Sequence, residues 1–296
     1  MIKKICIVGG AGKMGRWFSN YFVQQGGYSV FVYDTKKSYD KSSAKIVCCN
    51  SLKECLNDAD YVIISVPVRT APSMIRECAS LMKPRSTLLE IASIKKDTIR
   101  SLSKIRRSIV PISIHPMFGP GATKLNDSKI LLVPVRDIKK EKRRLRSILG
   151  GAKILVINDA YHHDKLMALI LGIVYYANLI LAMVISKDNF PELKKFSGTT
   201  FSFQSILFHG ILSDEPVLIS SLLISNTELW SYLKSFIRES NILFNVIKSQ
   251  DYNKLEKKVR ELKSQFMNNN EIQESYKKMY SLCRLTEINR RSVKAS

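Results

Sequence analysis

The chain has 296 residues, room for two domains at about 150 residues each, and a composition of 45% hydrophobic and 24% charged residues excludes collagen-like, mucin-like and wholly disordered classes. It is strongly basic, with 47 Lys and Arg against 25 Asp and Glu, and the excess is uneven: residues 1–150 carry 28 basic and 11 acidic side chains, a net +17, against +5 for the remainder. A field of that sign attracts nucleic acid, anionic membrane or a small polyanionic ligand alike, and by itself selects none of them.

In chain order, Lys3 and Lys4 precede a short apolar run, Ile5 to Val8, that stops at Gly9-Gly10 with no cleavage site of a secretory signal. Met14, Trp17, Phe18, Tyr21 and Phe22 follow at the spacing of one helix face, and Gly26-Gly27 ends that helix. Tyr28 to Tyr33 is β-branched and aromatic and closes on Asp34. Further strand-like runs are 46–48, 61–66, 87–91, 109–114, 130–135 and 153–157, with helical stretches at 51–57 and 71–82 among them. Repeated alternation of this kind predicts an α/β domain, a Rossmann-type, doubly wound, mostly parallel sheet over residues 1–158.

From 159 the strand-like runs vanish. Residues 160–186, 216–248 and 251–282 read as helices, interrupted near Asn189-Phe190-Pro191 and Asp214-Glu215-Pro216, so 159–285 is expected to be an all-α domain and 286–296 a polar tail. Between Lys165 and Lys187 lie 21 uncharged residues, long enough to span a bilayer. Tyr175, Tyr176 and Asn178 sit in its middle, no second span accompanies it, and the expected role is the core of a homodimer rather than a membrane span.

The turn Gly10-Ala11-Gly12-Lys13-Met14-Gly15 fits GxGxxG, follows a strand, opens an amphipathic helix and is followed 19 residues after Gly15 by Asp34 at a strand end. In that context the glycines have separate physical tasks: Gly10 for the tight turn, Gly12 for close approach of a pyrophosphate, Gly15 for helix–strand packing. The helix N-terminus offers free N–H groups to the phosphates. Asp34 is placed to accept from the adenosine ribose and repels a 2′-phosphate, which favours NAD over NADP, a preference that Lys36 and Lys37 close behind it soften. Ser93 and Lys95 lie in Glu90-Ile91-Ala92-Ser93-Ile94-Lys95 at another strand end, and His115 follows a strand and precedes Pro116-Met117-Phe118-Gly119-Pro120. Chemistry in such sheets gathers at the carboxyl ends of the strands. The run Lys139 to Arg146 reads as a solvated helix face rather than a nucleic-acid site, and no metal spacing is present. The cysteines, Cys6, Cys48, Cys49, Cys55, Cys78 and Cys283, have no framework or metal pattern and read as reduced thiols of a cytoplasmic protein.

The stretches IVGGAGKMGRWF, VIISVPV, EIASIKKD, SIHPMFGP and HHDKLMAL, in this order, resemble the prephenate dehydrogenase family, especially its short archaeal-type enzymes. The resemblance covers the nucleotide domain and the start of the helical one; beyond residue 190 it is mainly a matching pattern of helices. It implies NAD bound by Gly10, Gly12, Met14, Gly15 and Asp34, with Ser65, Val66 and Pro67 lining the nicotinamide side. It implies that His115 is the base in oxidative decarboxylation of prephenate to 4-hydroxyphenylpyruvate, a step of tyrosine biosynthesis, with Ser93 orienting the reacting hydroxyl or His115. Lys95, His163 and Tyr175 are the implied substrate-binding residues; His163 and Asp164 also match a His-Asp pair that opens the family's long helix and is expected to bridge the domains near the active site. The chain departs from the family pattern at Leu171 and Tyr175, where many members have Gln and His, and it has no arginine near Ser202 or Phe203. Those departures keep arogenate open as a substrate. Another NAD-dependent oxidoreductase on the same scaffold, or a non-enzymatic nucleic-acid-binding protein using the basic half, are the further alternatives.

Overall fold

The computed structural model describes residues 2–36, 45–126, 128–266 and 274–282. These fall into two compact units, Met1–Ala168 with Ser220–Glu228, and Leu169–Ile219 with Leu229–Ser296. The sequence placed a domain boundary at 158; the compact units part ten residues later, within one helical run, and a segment near 220 returns to the first unit. The expected polar tail at 286–296 lies outside the described residues, as do Lys37 and Cys283.

The first unit is built on β1 (Lys3–Val8), β2 (Tyr28–Tyr33), β3 (Ile46–Cys48), β4 (Tyr61–Ile64), β5 (Thr87–Glu90), β6 (Val110–Pro116), β7 (Lys129–Val133) and β8 (Lys153–Val156). They form one eight-stranded sheet in the order β3-β2-β1-β4-β5-β6-β7-β8. Every neighbouring pair is parallel except β6 with β7. Every strand coincides, within two residues at either end, with a run anticipated from the sequence. The alternating side chains of each strand explain why both faces are covered. Ile5, Ile7, Val30, Val32 and Ile63 point to one side, where Phe18 and Phe22 of α1 (Lys13–Gln25) join them, and Leu145 and Ile148 of α5 (Ile138–Ile148) extend the same core along β6. Cys6, Val8, Val62 and Ile64 point to the other, against α2 (Leu52–Leu56), α3 (Ala71–Leu81) and Leu102 of α4 (Lys96–Ser103). Helix α4 was not anticipated: its apolar positions are few, and it is held by contacts made elsewhere in the chain.

The basic helix α5 turns Glu141, Leu145 and Ile148 inward and leaves Lys139, Lys140, Arg143 and Arg146 exposed, the solvated face expected of it. Glu141 is buried because its carboxylate accepts the N–H groups of Val135, Arg136 and Asp137 at 2.9, 2.7 and 2.9 Å. Cys6, Cys48, Cys49, Cys55 and Cys78 are free thiols. The hydrogen bond with Cys6, and then burial, push the Cys55 thiol up; burial pushes Cys78 up and Cys49 to about 12, so none of these three is a ready nucleophile.

Helix α6 (Ala160–Met167) continues through a π-helical stretch, Ala168–Ile173, into α7 (Val174–Ile185). The second unit adds α8 (Phe190–Phe196), α9 (Thr199–Leu212), α11 (Leu229–Lys248) and α12 (Tyr252–Phe266); α10 (Pro216–Ile224) runs from this unit into the first. The expected single helix over 216–248 is thus broken at 225–228. Asn226 makes the break: its amide donates to the Asp164 carbonyl at 2.8 Å, and its Oδ1 accepts the Glu228 N–H at 3.1 Å. Side-chain bonds of this kind compete with the helical ladder.

Candidate active site

The parallel strands end together. Val8 is level with Ile64, Ile64 with Glu90, and Glu90 with Ser113, so the residues just beyond them share the carboxyl edge of the sheet.

At β1 that edge is the glycine turn. A Cβ on Gly15 would lie 2.2 Å from the Gly9 carbonyl oxygen, and one on Gly10 2.1 Å from Val32 Cγ1. The positive φ of the turn, +85°, belongs to Gly9, whose Cβ would also strike the Ser65 oxygen at 2.3 Å. The task assigned to Gly10 from the motif is therefore Gly9's, and Gly10 is required instead for contact with β2. Gly12 occupies the N-cap of α1 without a side-chain bond, and the first turn of α1 holds no acid. Asp34 closes the turn from β2, accepting the Ala11 N–H at 2.9 Å and the Lys36 N–H at 2.8 Å. Ser65 is tied to β1 by its N–H to the Val8 oxygen at 2.8 Å; Val66 is half-buried beside it and Pro67 is exposed. Met14 packs on the core. Bare backbone, a helix N-terminus and a carboxylate at the next strand end make a cradle that fits a dinucleotide.

Further along the edge is a buried polar cluster. Strand β6 runs past the end of β5, so His115 pairs only with Leu131 of the antiparallel β7, which holds it in place. The residue is 5% exposed. Nδ1 lies 3.1 Å from His163 Nε2, and His163 Nδ1 lies 2.8 Å from Asp164 Oδ1. Nε2 of His115 has no hydrogen-bond partner among the described residues. Burial holds His115 well below the ordinary imidazole range, with His163 and Lys95 adding to the effect; burial likewise lowers His163, against the pull of Asp164. Both rings are therefore neutral at pH 7.

Beneath His115, Glu90 and Lys95 form an ion pair of 2.7 Å with neither side chain exposed. Lys95 Nζ also donates to the Ile114 oxygen at 2.6 Å. Glu90 accepts the Ala92 N–H at 2.7 Å, the Thr98 hydroxyl at 3.3 Å and the Ser113 hydroxyl. A buried ion pair is retained at little cost only when its remaining hydrogen-bonding capacity is met, as here. It ties the end of β5 to β6 and the start of α4.

Three expectations change accordingly. Lys95 is not offered to a substrate carboxylate, because its ammonium is consumed by Glu90 and the Ile114 carbonyl inside the fold. Ser93 is half-buried and no hydrogen bond joins it to His115; the bond that orients the ring comes from His163. His163 has no exposed surface and stands behind His115 rather than against a ligand. Tyr175 belongs to the helical unit, where its hydroxyl donates to Asp214 at 2.7 Å; burial, then Asp214, push the phenol up. Leu171 lies in the π-helical stretch. Gly9, Glu90, Ser113 and Asn226 were given no role from the sequence and carry no local signal; Asp164 was, as the partner of His163 in the His162-His163-Asp164 triplet. A cleft of about 960 Å³ runs along α1 and the 120–126 segment, lined by Lys13, Arg16, Lys124 and Arg146 among others; His115 does not line it.

Two family profiles match: "Prephenate dehydrogenase, nucleotide-binding domain" over residues 21–155 and "Prephenate dehydrogenase, dimerization domain" over residues 159–261. The chain is 24% identical over 257 residues, 83% of its length, to a protein of Methanocaldococcus jannaschii named "Probable arogenate/prephenate dehydrogenase". It is 24% identical over 230 residues, 77% of its length, to the "T-protein" of Haemophilus influenzae. The match spans 57% of each of these curated relatives, so the chain covers little more than half of their length. In fold, the crystal structure of prephenate dehydrogenase from Aquifex aeolicus, in complex with hydroxyphenyl propionate and NAD+, is similar at a TM-score of 0.72 and 19% identity, covering 90% of this chain and 97% of that one.

Proposed function

Because the chain belongs to the prephenate dehydrogenase family, we propose that it oxidises prephenate with NAD, releasing CO₂ and forming 4-hydroxyphenylpyruvate. The observation that carries this reading is His115: a neutral imidazole at the carboxyl edge of the sheet, held through Nδ1 and unpartnered at Nε2. The glycine turn and Asp34 hold the dinucleotide, which when bound supplies the hydride acceptor. His115 Nε2 takes the proton of the substrate's ring hydroxyl as hydride leaves the carbon that bears it. The bond to the ring carboxylate then breaks, its electrons complete the aromatic ring, and aromatisation drives the step forward. Imidazole is suited to this work near neutral pH. Ser93, half-buried beyond the end of β5, is assigned the orienting of the substrate's hydroxyl rather than of His115.

Arogenate is the second reading. Leu171 and Tyr175 stand where many family members have Gln and His, and neither carries a positive charge; within the helical unit the Tyr175 hydroxyl donates to the Asp214 carboxylate. The helical unit forms a homodimer in this proposal, consistent with the family's dimerization domain, and the protein works in the cytoplasm without nucleic acid or membrane. The test is NADH formation followed by absorbance with the full chain, NAD and either substrate. Turnover of one names the substrate; turnover of neither, with NAD bound, sinks the assignment.

A further inference from the structure

Three buried side chains stand in line behind the carboxyl edge of the sheet. Asp164 Oδ1 is 2.8 Å from His163 Nδ1, and His163 Nε2 is 3.1 Å from His115 Nδ1. The carboxylate is ringed by donors: Oδ1 also accepts the Lys95 N–H at 2.8 Å, and Oδ2 accepts the Lys96 N–H at 3.0 Å. Those amides open α4, so the positive end of that helix faces the carboxylate as well. An aspartate so placed only accepts, which puts the proton of its bond with His163 on His163 Nδ1. A neutral imidazole protonated at Nδ1 carries its lone pair on Nε2. The contact between the two rings is then a hydrogen bond only if His115 Nδ1 carries a proton and donates it. His115 Nε2 is left unprotonated. The direction of every proton in the line is set at Asp164.

We propose that His163 and Asp164 are positioning residues for the base: they hold His115 as the Nδ1–H tautomer, keep Nε2 vacant, and draw toward Asp164 the positive charge that His115 acquires. This rests on the reading of His115 as the base. When Nε2 accepts the hydroxyl proton, one O–H bond breaks and one N–H bond forms; the imidazolium donates from Nδ1 to His163 and later returns the proton to solvent. The ionisable groups that face His115 are His163 and Lys95, and those that face His163 are Asp164, Lys95 and Glu90. Lys95 opposes charge on either ring; Asp164 and Glu90 favour it on His163.

Asp164→Asn tests the proposal at almost constant shape. With Oδ1 turned to the Lys96 N–H, its NH₂ takes the place beside His163 Nδ1 and donates to it, giving up the bond from the Lys95 N–H. The His163 proton then moves to Nε2, His163 donates to His115 Nδ1, and the proton of His115 is displaced onto Nε2, where the base must be vacant. The expected result is a loss in kcat of about 10³- to 10⁴-fold with KM changed little, the outcome seen when a triad carboxylate is converted to its amide. His163→Gln, whose amide oxygen can accept from His115 Nδ1, is expected to retain kcat within about 10²-fold, and His163→Leu to lose more. The direct readout is the ¹⁵N shifts of the imidazole nitrogens in the full chain, which has four histidines. Wild-type His115 should show a pyrrole-type Nδ1 and a pyridine-type Nε2, and Asp164→Asn the reverse. A wild-type His115 protonated at Nε2, or an Asp164→Asn variant with unchanged tautomer and kcat, overturns the proposal. His163→Gln carries the test if Asp164→Asn fails to fold. The tautomer is read without turnover, so the expected tautomer in a chain inactive on both substrates sinks the dehydrogenase reading, whereas turnover with a proton on Nε2 sinks the relay alone.

Discussion

The two units bury their apolar side chains differently. In the first, both faces of the sheet are covered from within, and Ile5, Ile7, Phe18, Phe22, Ile63 and Leu88 have almost no exposed surface. In the second, Phe208, Ile211, Leu229 and Val246 are the buried hydrophobics among the described residues, while Met183, Val184, Trp230, Phe244 and Ile247 are each more than half exposed. The helix Ala160–Ile185 is long and apolar enough to cross a membrane, yet only 22% of its most apolar stretch is buried within the chain. Apolar surface on that scale marks a contact surface rather than a finished exterior. The buried polar chemistry follows the opposite distribution: Glu90, Lys95, His115, His163 and Asp164 all lie in the first unit. A sheet core completed within one chain can hold such groups in fixed geometry; helices with open apolar faces are suited to association.

The sharpest test of this contrast is at the base. His115→Asn is expected to lower kcat by about 10²- to 10⁴-fold while leaving the melting temperature and NAD binding near wild type. An equal fall in stability would show that His115 is a packing residue of the first unit. Met183→Glu with Val184→Lys probes the second unit. If a second copy covers that face, light scattering after gel filtration should show the wild-type dimer dissociating, by a factor of about 10² or more in Kd for charges placed in a desolvated interface. A dimer that persists would reject this face, and a wild-type chain recovered only with lipid would assign the face to membrane.

Gly15→Ala and Gly9→Ala load the turn that the first unit folds most tightly. Each should cost about 1–3 kcal/mol in urea unfolding, as overpacking does, and weaken NAD binding measured by titration. Wild-type values for either would mean the turn can open.

A smaller effect is expected from pH. Burial lowers the folded pKa of His115 and of His163 below the ordinary 6.5. Below that value the unfolded chain takes up protons that the folded chain refuses. Their contribution to stability is therefore complete above pH 6.5 and is lost as pH falls beneath it, with a slope of up to about 1.4 kcal/mol per pH unit for each ring. Urea midpoints at descending pH should fall more steeply in wild type than in His115→Gln; equal slopes would refute the assignment. Least affected should be a chain with Lys139, Lys140 and Arg143 changed to Gln, since surface changes on α5 are worth within about 0.5 kcal/mol. A large loss of activity there would give the basic helix a role in the chemistry.

Much of this molecule was decided locally. The run of β-branched residues in Tyr28–Tyr33, the helix-face spacing from Met14 to Phe22 and the glycine turn between strand and helix fix β1, α1 and β2 because strand and helix periodicities are properties of short segments. The same holds for His115, marked by its place between an apolar strand and a Pro- and Gly-containing loop. What the tertiary structure decided are the matters that depend on partners distant in the chain. Lys95 reads as a free cation until Glu90 and the Ile114 carbonyl meet it inside the fold. His163 reads as a ligand-facing residue until α6 places it behind His115. The helix from 216 reads as continuous until Asn226 is drawn to the Asp164 carbonyl, 62 residues earlier. Gly9 rather than Gly10 takes the left-handed turn because β4 brings the Ser65 carbonyl against it. Periodicity states which face of a segment is apolar; hydrogen bonds between buried polar groups are chosen only when the strands and helices have been brought together.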